Sequence, residues 1–258
     1  MGYPPFISGR MSRGGSLAAA TGAPSGAPYS NTASVDFDGS NDTCDLGFVM
    51  PAWTQATWSA WVKTTDTQGA IADGIDSGGN IPSTRGGIVW TSSKWYFHIG
   101  DGTYWSIKNT ESCSAILDGD WHHVLITING ADQKIYVDGS LDAEWTAGEA
   151  GSTGTTMSYF QYGEVGTEDI HIGSWGGNYW WTDGKIDEVA LFNSVLSTSD
   201  ITAIYNSGVP ASLSSYSPYG WWRMGDNDGS SGTTITDQGS GGNDGTLQNG
   251  PTFTTDVP

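Results

Sequence analysis

The chain has 258 residues and carries 28 acidic against 9 basic side chains, for a net charge of −19. This charge repels nucleic acid and anionic membranes, so the composition argues against a nucleic-acid partner. No apolar run approaches the roughly 20 residues of a membrane-spanning helix, and we expect no membrane insertion. The 38 glycines suit an all-β fold with many turns, and 13 Trp, 11 Tyr and 7 Phe can fill its core.

Residues 1–33 are rich in Gly, Ala, Ser and Pro and lack periodicity, so they are predicted to form an extended N-terminal arm. The only charged residues in the arm are Arg10 and Arg13. Two interpretations stay open: the arm docks on a neighbouring acidic subunit through these arginines, or it is a disordered tail. The start of the chain lacks the charged and apolar regions of a signal peptide.

A β-hairpin is predicted over residues 121–139. From Trp121 to Ile128 the side chains alternate between two faces, which is the period-two pattern of a strand. Asn129-Gly130 then provide a turn, because both residues tolerate positive φ, and the chain returns as a second strand. His122 and His123 lie in the first strand, and we favour packing over a catalytic or metal-binding role for them.

One short helix is predicted near residues 197–207. Ser197 can cap its N-terminus, and Asp200, three residues on, completes a capping box. Gly208 supplies the C-terminal stop, with Pro210 beyond it.

Several of these stretches resemble the laminin-G-like, concanavalin-A-like jelly-roll superfamily. They are Trp-His-His-Val at 121–124, Tyr-Val-Asp-Gly at 136–139, Phe-Asp-Gly at 37–39 and Gly-x-Ile-Asp-Glu-Val at 184–189. The resemblance covers residues 34–258 and implies an all-β, two-sheet antiparallel jelly-roll sandwich over that range. A short helix after the Ile-Asp-Glu-Val strand also fits the family.

The end of the chain carries a segment that opens the domain in relatives. This segment contains Trp-Trp-Arg-Met-Gly-Asp at 221–226 and Asp-Gln at 237–238, followed by Gly-Asn-Asp-Gly at 242–245. We therefore predict a circularly permuted domain, in which residues 218–258 pack back beside residues 34–47. The alternative is that the tail begins a truncated second repeat.

The resemblance further implies one structural calcium ion, held by the start of the domain and by the Asp of its late strand. Carried over to this sequence, the ligands would be Asp187 with Asp226 or Asp228, and also Asp38. Carboxylate oxygens are the ligands that calcium prefers. For each of these acids, the alternative is simple solvation of a loop.

One loop is a candidate carbohydrate-binding surface, because it gathers Trp175, Tyr179, Trp180 and Trp181 beside Gly and Asn residues. Aromatic rings can stack on sugar faces. The alternative is that one or two of these rings close the edge of the sandwich, which is the more frequent role of such residues.

Some relatives on this fold are glycoside hydrolases, which need two carboxylates; in retaining enzymes these are about 5–5.5 Å apart. On one strand this requires acids at alternate positions, and the sequence has no such run. Glu164 and Glu168 are four residues apart in a predicted loop. We therefore predict that the protein is not an enzyme.

We expect a structural or adhesive protein on the surface of a virus particle, because the 221–245 segment also resembles virion proteins of tailed bacteriophages. It would be made in the host cytoplasm, be present as a homo-oligomer or in many copies, contact other virion proteins through the arm, and contact host-surface or environmental glycans. The alternative is a carbohydrate-binding module of a bacterial surface or secreted system, located outside the cell. The third hypothesis is a degenerate glycoside hydrolase.

Overall fold

The computed structural model describes residues 29–48, 53–73, 87–100, 105–148, 153–154 and 169–258. Within these ranges the chain forms β-strands and a single α-helix. The strands are β1 Ser34–Asp38, β2 Thr43–Asp45, β3 Gln55–Thr64, β4 Gly69–Asp73, β5 Ile88–Thr91, β6 Lys94–Trp95, β7 Phe97–Gly100, β8 Trp105–Lys108, β9 Trp121–Asn129, β10 Asp132–Val137, β11 Ser140–Thr146, β12 Thr153–Gly154, β13 His171–Ile172, β14 Asp183–Phe192, β15 Gly220–Trp222, β16 Thr234–Ile235, β17 Gly245–Gln248 and β18 Thr252–Thr254. The helix is α1, Thr198–Tyr205.

Two large antiparallel sheets form the body of the protein. The larger sheet has the strand order β11-β10-β9-β3-β14-β1-β18, with β15 also paired to β14. The second has the order β16-β17-β2-β13-β4-β5-β6, and β12, β8 and β7 form a small third sheet. The predicted all-β jelly-roll sandwich is confirmed.

The main core lies between the two large sheets and follows from the alternation of side chains along their strands. Trp58, Ala60 and Val62 of β3 point inward and are at most 1% exposed. Trp222 of β15 stacks on Trp58 with ring centroids 6.4 Å apart, and such large rings supply much of the buried apolar area. Both cysteines are buried and unpaired.

A second apolar cluster lies on the outer face of the larger sheet, beneath helix α1. Ile201 and Ile204 of the helix belong to this cluster together with Leu125 of β9 and Phe192 of β14. The central strands are therefore covered on both faces, which explains why their outward positions are apolar as well.

The two adjacent histidines of β9 occupy different environments. His123 is fully buried beside α1, with its Nε2 atom 2.8 Å from Ser59 Oγ. His122 lies between two carboxylates, 2.8 Å from Asp138 and 3.0 Å from Asp118. Burial lowers the pKa of His123 to about 4, which keeps its imidazole neutral at physiological pH.

Helix α1 begins as its sequence predicts. Ser197 is the N-cap, and its side chain accepts a hydrogen bond from the backbone N–H of Asp200. The Asp200 carboxylate accepts in return from the backbone N–H of Ser197, which completes the capping box. Asn206, in the left-handed conformation with φ 49°, ends the helix two residues before the predicted stop at Gly208.

A search of the described residues for a helix with the length and apolar character of a membrane span finds none.

Residues 218–258 are built into both large sheets. β17 pairs with β2, so that Leu247 lies opposite Cys44, and β18 pairs with β1. Gly245 permits a close approach of β17, because a Cβ atom there would lie 2.6 Å from the Cys44 sulfur. Residues 218–258 thus complete the sandwich beside its first strands, and circular permutation stays a prediction.

The N-terminal boundary differs from the one predicted. Residues 29–33, assigned to the arm by the sequence, pack on the body: Ala33 is 2% exposed, and Asn31 and Thr32 donate hydrogen bonds to Asp187 and Asp226. The boundary at residue 33 is therefore wrong. Composition did not reveal this packing because Asn31 and Thr32 contact acids that lie 156 and 194 residues away in the sequence. Arg10, Arg13, Glu164 and Glu168 lie outside the described residues.

The tail's role in stability can be tested at Leu247, which is 6% exposed. We expect Leu247→Ala to lower the free energy of unfolding by about 2–5 kcal/mol, because it removes buried methyl groups and leaves a cavity. Urea unfolding measures the change. Deletion of residues 218–258 should abolish the cooperative transition.

Leu141→Ala is the matched control, because Leu141 is 51% exposed and its truncation should change stability by no more than about 0.5 kcal/mol. Equal effects of the two substitutions, or an unchanged cooperative transition after the deletion, would show that the tail is not part of the folded core.

Candidate functional site

The predicted carbohydrate-binding loop is a tight, internally bonded turn. The backbone N–H of Trp175 donates to the Tyr179 carbonyl at 2.8 Å, and the N–H of Tyr179 donates back at 3.2 Å. Gly177 allows the turn, because its φ is 73° and a Cβ there would lie 2.9 Å from the His171 ring. Thr182 anchors the chain after the loop through hydrogen bonds to β4.

The loop brings three rings into contact with one another. Trp175 and Trp180 stack with centroids 4.2 Å apart and an interplanar angle of 14°. Tyr96, from the turn between β6 and β7, meets Trp180 edge to face at 4.9 Å. Such offset-stacked and edge-to-face pairs are favourable arrangements of aromatic rings. We call Tyr96, Trp175, Tyr179 and Trp180 the aromatic surface.

The four predicted residues divide between packing and exposure. Tyr179 is 45% exposed, while Trp175, Trp180 and Trp181 are half-buried. The indole nitrogens of Trp175 and Trp181 are buried without a hydrogen-bond partner among the described residues. The three tryptophans are thus partly packed, whereas Tyr179 faces solvent, and sugar binding by this loop stays a prediction.

Sequence reasoning missed Tyr96, which belongs to this surface, and His98, which lies beneath it. Tyr96 and His98 alternate with the buried Trp95 and Phe97, so the period-two pattern could have placed both on the face opposite the core. His98 packs against Trp175 with ring centroids 6.0 Å apart. No local signal indicated its partner, because Asp73 lies 25 residues earlier in the chain at the end of β4.

His98 and Asp73 form a buried polar pair. The His98 Nε2 atom lies 2.8 Å from Asp73 Oδ2, and both side chains are 0% exposed. Burial opposes protonation of His98, but the charge of Asp73 and its hydrogen bond outweigh this effect and raise the pKa of His98. This buried pair lies directly beneath the aromatic rings.

The acids predicted to bind calcium are divided among different places. Asp187 is fully buried, and its oxygens accept hydrogen bonds from Asn31 Nδ2 and from the Glu188 backbone. Asp226 accepts from Thr32 and from Arg223. Burial and the neighbouring Glu188 charge raise the pKa of Asp187, and the charge of Asp226 adds to this effect. These two acids therefore lie close enough to interact.

The other two predicted ligands do not join them. Asp228 accepts hydrogen bonds from Thr236, and Asp38 accepts from the backbone of Ser40. In the part of the chain that the structure describes, no three His, Cys, Asp or Glu side chains form a group that could hold a metal ion. The Asn31 Oδ1 atom is buried without a partner, but the oxygens of Asp187 and Asp226 are already engaged by donors. The residues as arranged do not fit the ion, and bound calcium stays a prediction.

Two neighbouring residues complete the polar cluster. Glu188 accepts hydrogen bonds from Arg223 Nε at 2.9 Å and from the Trp221 indole at 2.6 Å. The Arg223 guanidinium lies 4.6 Å from the centre of the Tyr29 ring and 5.5 Å from that of Trp221, which are cation–π distances. Burial raises the pKa of Glu188, and Arg223 opposes this shift. Sequence reasoning missed the pair, although Asp187-Glu188 in the apolar strand β14 and Arg223 directly after β15 were a signal for it.

Solved structures resemble this fold at low sequence identity. A candidate carbohydrate-binding protein from Bacteroides ovatus matches with a TM-score of 0.57 and 20% identity, over 90% of this chain and 62% of that protein. This chain therefore spans less than two thirds of its length. Domains LG4-5 of the mouse laminin α1 chain match with a TM-score of 0.44 and 14% identity, over 66% of this chain and 44% of that one. A pentraxin from Limulus polyphemus matches with a TM-score of 0.41 and 14% identity, over 68% of this chain and 82% of that protein.

A family model also matches the sequence itself. The Laminin_G_3 model, described as the concanavalin A-like lectin/glucanases superfamily, matches residues 38–202, which is more than half of the chain. The matched range contains the hairpin of β9 and β10, the aromatic loop and all of β14. The chain belongs to the Laminin_G_3 family of the concanavalin A-like lectin/glucanases superfamily.

Proposed function

We propose that the protein is a non-enzymatic, carbohydrate-binding adhesive protein that contacts glycans through its aromatic surface. The exposed Tyr179 ring, held beside the Trp175–Trp180 stack, is the observation that carries this proposal. The C–H face of a sugar can lie against such a ring while its hydroxyl groups stay in water. The fold-level likeness to the Bacteroides ovatus protein is in keeping with this role.

The rigidity of the surface supports binding. Backbone hydrogen bonds close the turn, Tyr96 buttresses Trp180, and the buried His98–Asp73 pair lies beneath. A preformed surface loses little conformational entropy when a ligand binds.

The environment of the buried acids supports a role without catalysis. Asp187 and Glu188 are 0% and 3% exposed, and their oxygens are engaged by Asn31, Trp221, Arg223 and backbone donors. Carboxylates held in this way are kept from a substrate, whereas a glycosidase presents its two carboxyl groups to the scissile bond.

Tyr179→Ala tests the aromatic surface on an array of neutral and charged glycans. We expect binding to fall by about two- to tenfold for any glycan that binds the wild type, because loss of an aromatic contact weakens binding by about 0.5–1.5 kcal/mol. Tyr179→Phe is the matched control, since it keeps the ring and should retain binding. Equal binding by the alanine variant, or no glycan bound by the wild type, would refute the proposal.

We further propose that this adhesive protein acts on the surface of a bacteriophage particle, in several copies. The resemblance of the 221–245 segment to virion proteins motivates the placement. Bodies with a net charge of −19 repel one another, and an arm carrying Arg10 and Arg13 supplies an attachment of opposite charge to neighbouring virion proteins. A bacterial surface or secreted module is the alternative location.

Deletion of residues 1–28 tests this placement, since residues 29–33 belong to the packed body. The shortened protein should fold and be missing from purified particles by mass spectrometry. Arg10→Glu with Arg13→Glu should weaken attachment most at low salt, whereas Arg10→Lys with Arg13→Lys keeps the charge and should attach. Incorporation of the shortened protein at the wild-type copy number would refute docking by the arm, and absence of the full chain from particles would refute the virion location.

A further inference from the structure

A polar cavity borders the buried ion pair, away from the aromatic surface. Its volume is about 370 Å³, which lies within the range of roughly 300–1,000 Å³ that is usual for small-molecule sites. Its lining combines hydroxyl, amide, charged and aromatic side chains. The lining includes Tyr29, Ser212, Ser214, Trp221, Arg223 and Gln238. We call it the Arg223 cavity.

The guanidinium of Arg223 is fixed in place and keeps one donor edge available to the cavity. Its Nε atom donates to Glu188, and Nη2 donates to Asp226 and to the Ser30 carbonyl. Nη1 makes a single long contact, 3.4 Å from Asn227 Oδ1. Because Nη1 carries two N–H groups, one of them has no partner among the described residues. The Arg223 side chain lines the cavity and is only 10% exposed.

The charge around the cavity favours an uncharged ligand. Glu188 and Asp226 lie within 3.0 Å of Arg223 and compensate its charge, so an anion finds no unpaired positive charge. The oxygens of these two carboxylates already accept hydrogen bonds from Arg223, Trp221 and Thr32, so a cation finds no free carboxylate oxygen. A neutral ligand needs neither and can still accept a hydrogen bond from Nη1.

The remaining lining groups suit a ligand with several hydroxyl groups. Gln238 is exposed, and its backbone N–H donates to the Trp221 carbonyl at 2.7 Å, which fixes its position beside the cavity. Ser212 and Ser214 lie with their hydroxyl oxygens 3.2 Å apart. Amides and hydroxyls both donate and accept, as sugar hydroxyls do, and the rings of Tyr29 and Trp221 contribute apolar surface.

We infer that the Arg223 cavity binds an uncharged sugar residue, at a second site that is separate from the aromatic surface. None of the residues of the aromatic surface lines the cavity. The inference goes beyond the proposed function and does not depend on it, because either site can bind when the other does not.

Nuclear magnetic resonance titration tests the inference with the full-length protein. The probes are methyl glycosides of glucose, galactose and mannose at up to about 10 mM, which detects dissociation constants in the millimolar range. Glucosamine and glucuronate are the charged comparisons. The reporters are the Arg223 Nε–H, which donates to Glu188, and the Trp180 indole N–H at the aromatic surface. At least one neutral glycoside should shift the Arg223 signal more than either charged sugar.

Ser214→Ala and Gln238→Leu should each weaken this binding at least fivefold. Ser215→Ala is the matched control, because Ser215 is exposed, adjoins Ser214 in the same turn and does not line the cavity. A wild-type Arg223 signal that no neutral glycoside moves, preferential binding of a charged sugar, or equal binding by the Ser214→Ala and Ser215→Ala variants would overturn the inference. A shift confined to Trp180 would support the aromatic surface and overturn only the second site.

Discussion

The ion pair between Glu188 and Arg223 is the interaction on which the rest of the structure depends. It is almost entirely out of water, with the two side chains 3% and 10% exposed. Removing such charges from water is unfavourable, and only close contacts and full hydrogen bonding offset that loss. The Trp221 indole, Asp226 and the rings that flank the guanidinium provide those contacts. An unpaired Glu188 or Arg223 at this position would be strongly destabilising.

The pair depends in turn on an irregularity in β14. The register between β14 and β3 shifts between Asp187 and Ala190, and Glu188 has a φ of 48°, which is unusual for a residue other than glycine. The bulge turns Glu188 away from the regular alternation, so that its carboxylate meets Arg223. Three distant parts of the chain meet here: residues 29–32, the bulge, and residues 221–226. Residues 29–32 and 221–226 are thereby tied to β14, which pairs with β3, β1 and β15.

The two candidate binding sites use this scaffold differently. Three of the four residues of the aromatic surface come from the loop that leads into β14. The pairing of β14 with its neighbouring strands therefore positions the stack of Trp175 on Trp180. The Arg223 cavity borders the ion pair itself, and its donor is rigid because the pair holds it. Sites held by the strands of a folded sandwich are suited to recognition, since little order has to be gained on binding.

The sequence predicts those features that local chemistry decides. Period-two alternation identifies the β9–β10 hairpin, and Ser197 with Asp200 identifies the start of α1, because neighbours along the chain suffice for both. The packing of residues 29–33, the partner of His98 and the bulge at Glu188 depend on residues that are distant in sequence. The aromatic loop lies between these cases: composition locates it, but only the structure separates the exposed Tyr179 from the half-buried Trp175 and Trp180.

A double-mutant cycle on Glu188 and Arg223 tests the central role of the ion pair most directly. The variants are Glu188→Gln, Arg223→Met and the two combined, with free energies of unfolding from urea denaturation. Each single substitution should destabilise by about 3–5 kcal/mol, because it breaks a buried ion pair by removing one of its two partners. The double variant should lose at least about 1.5 kcal/mol less than the sum of the single losses. Losses that add to within about 0.5 kcal/mol would contradict the account, since the two residues would then stabilise the fold independently.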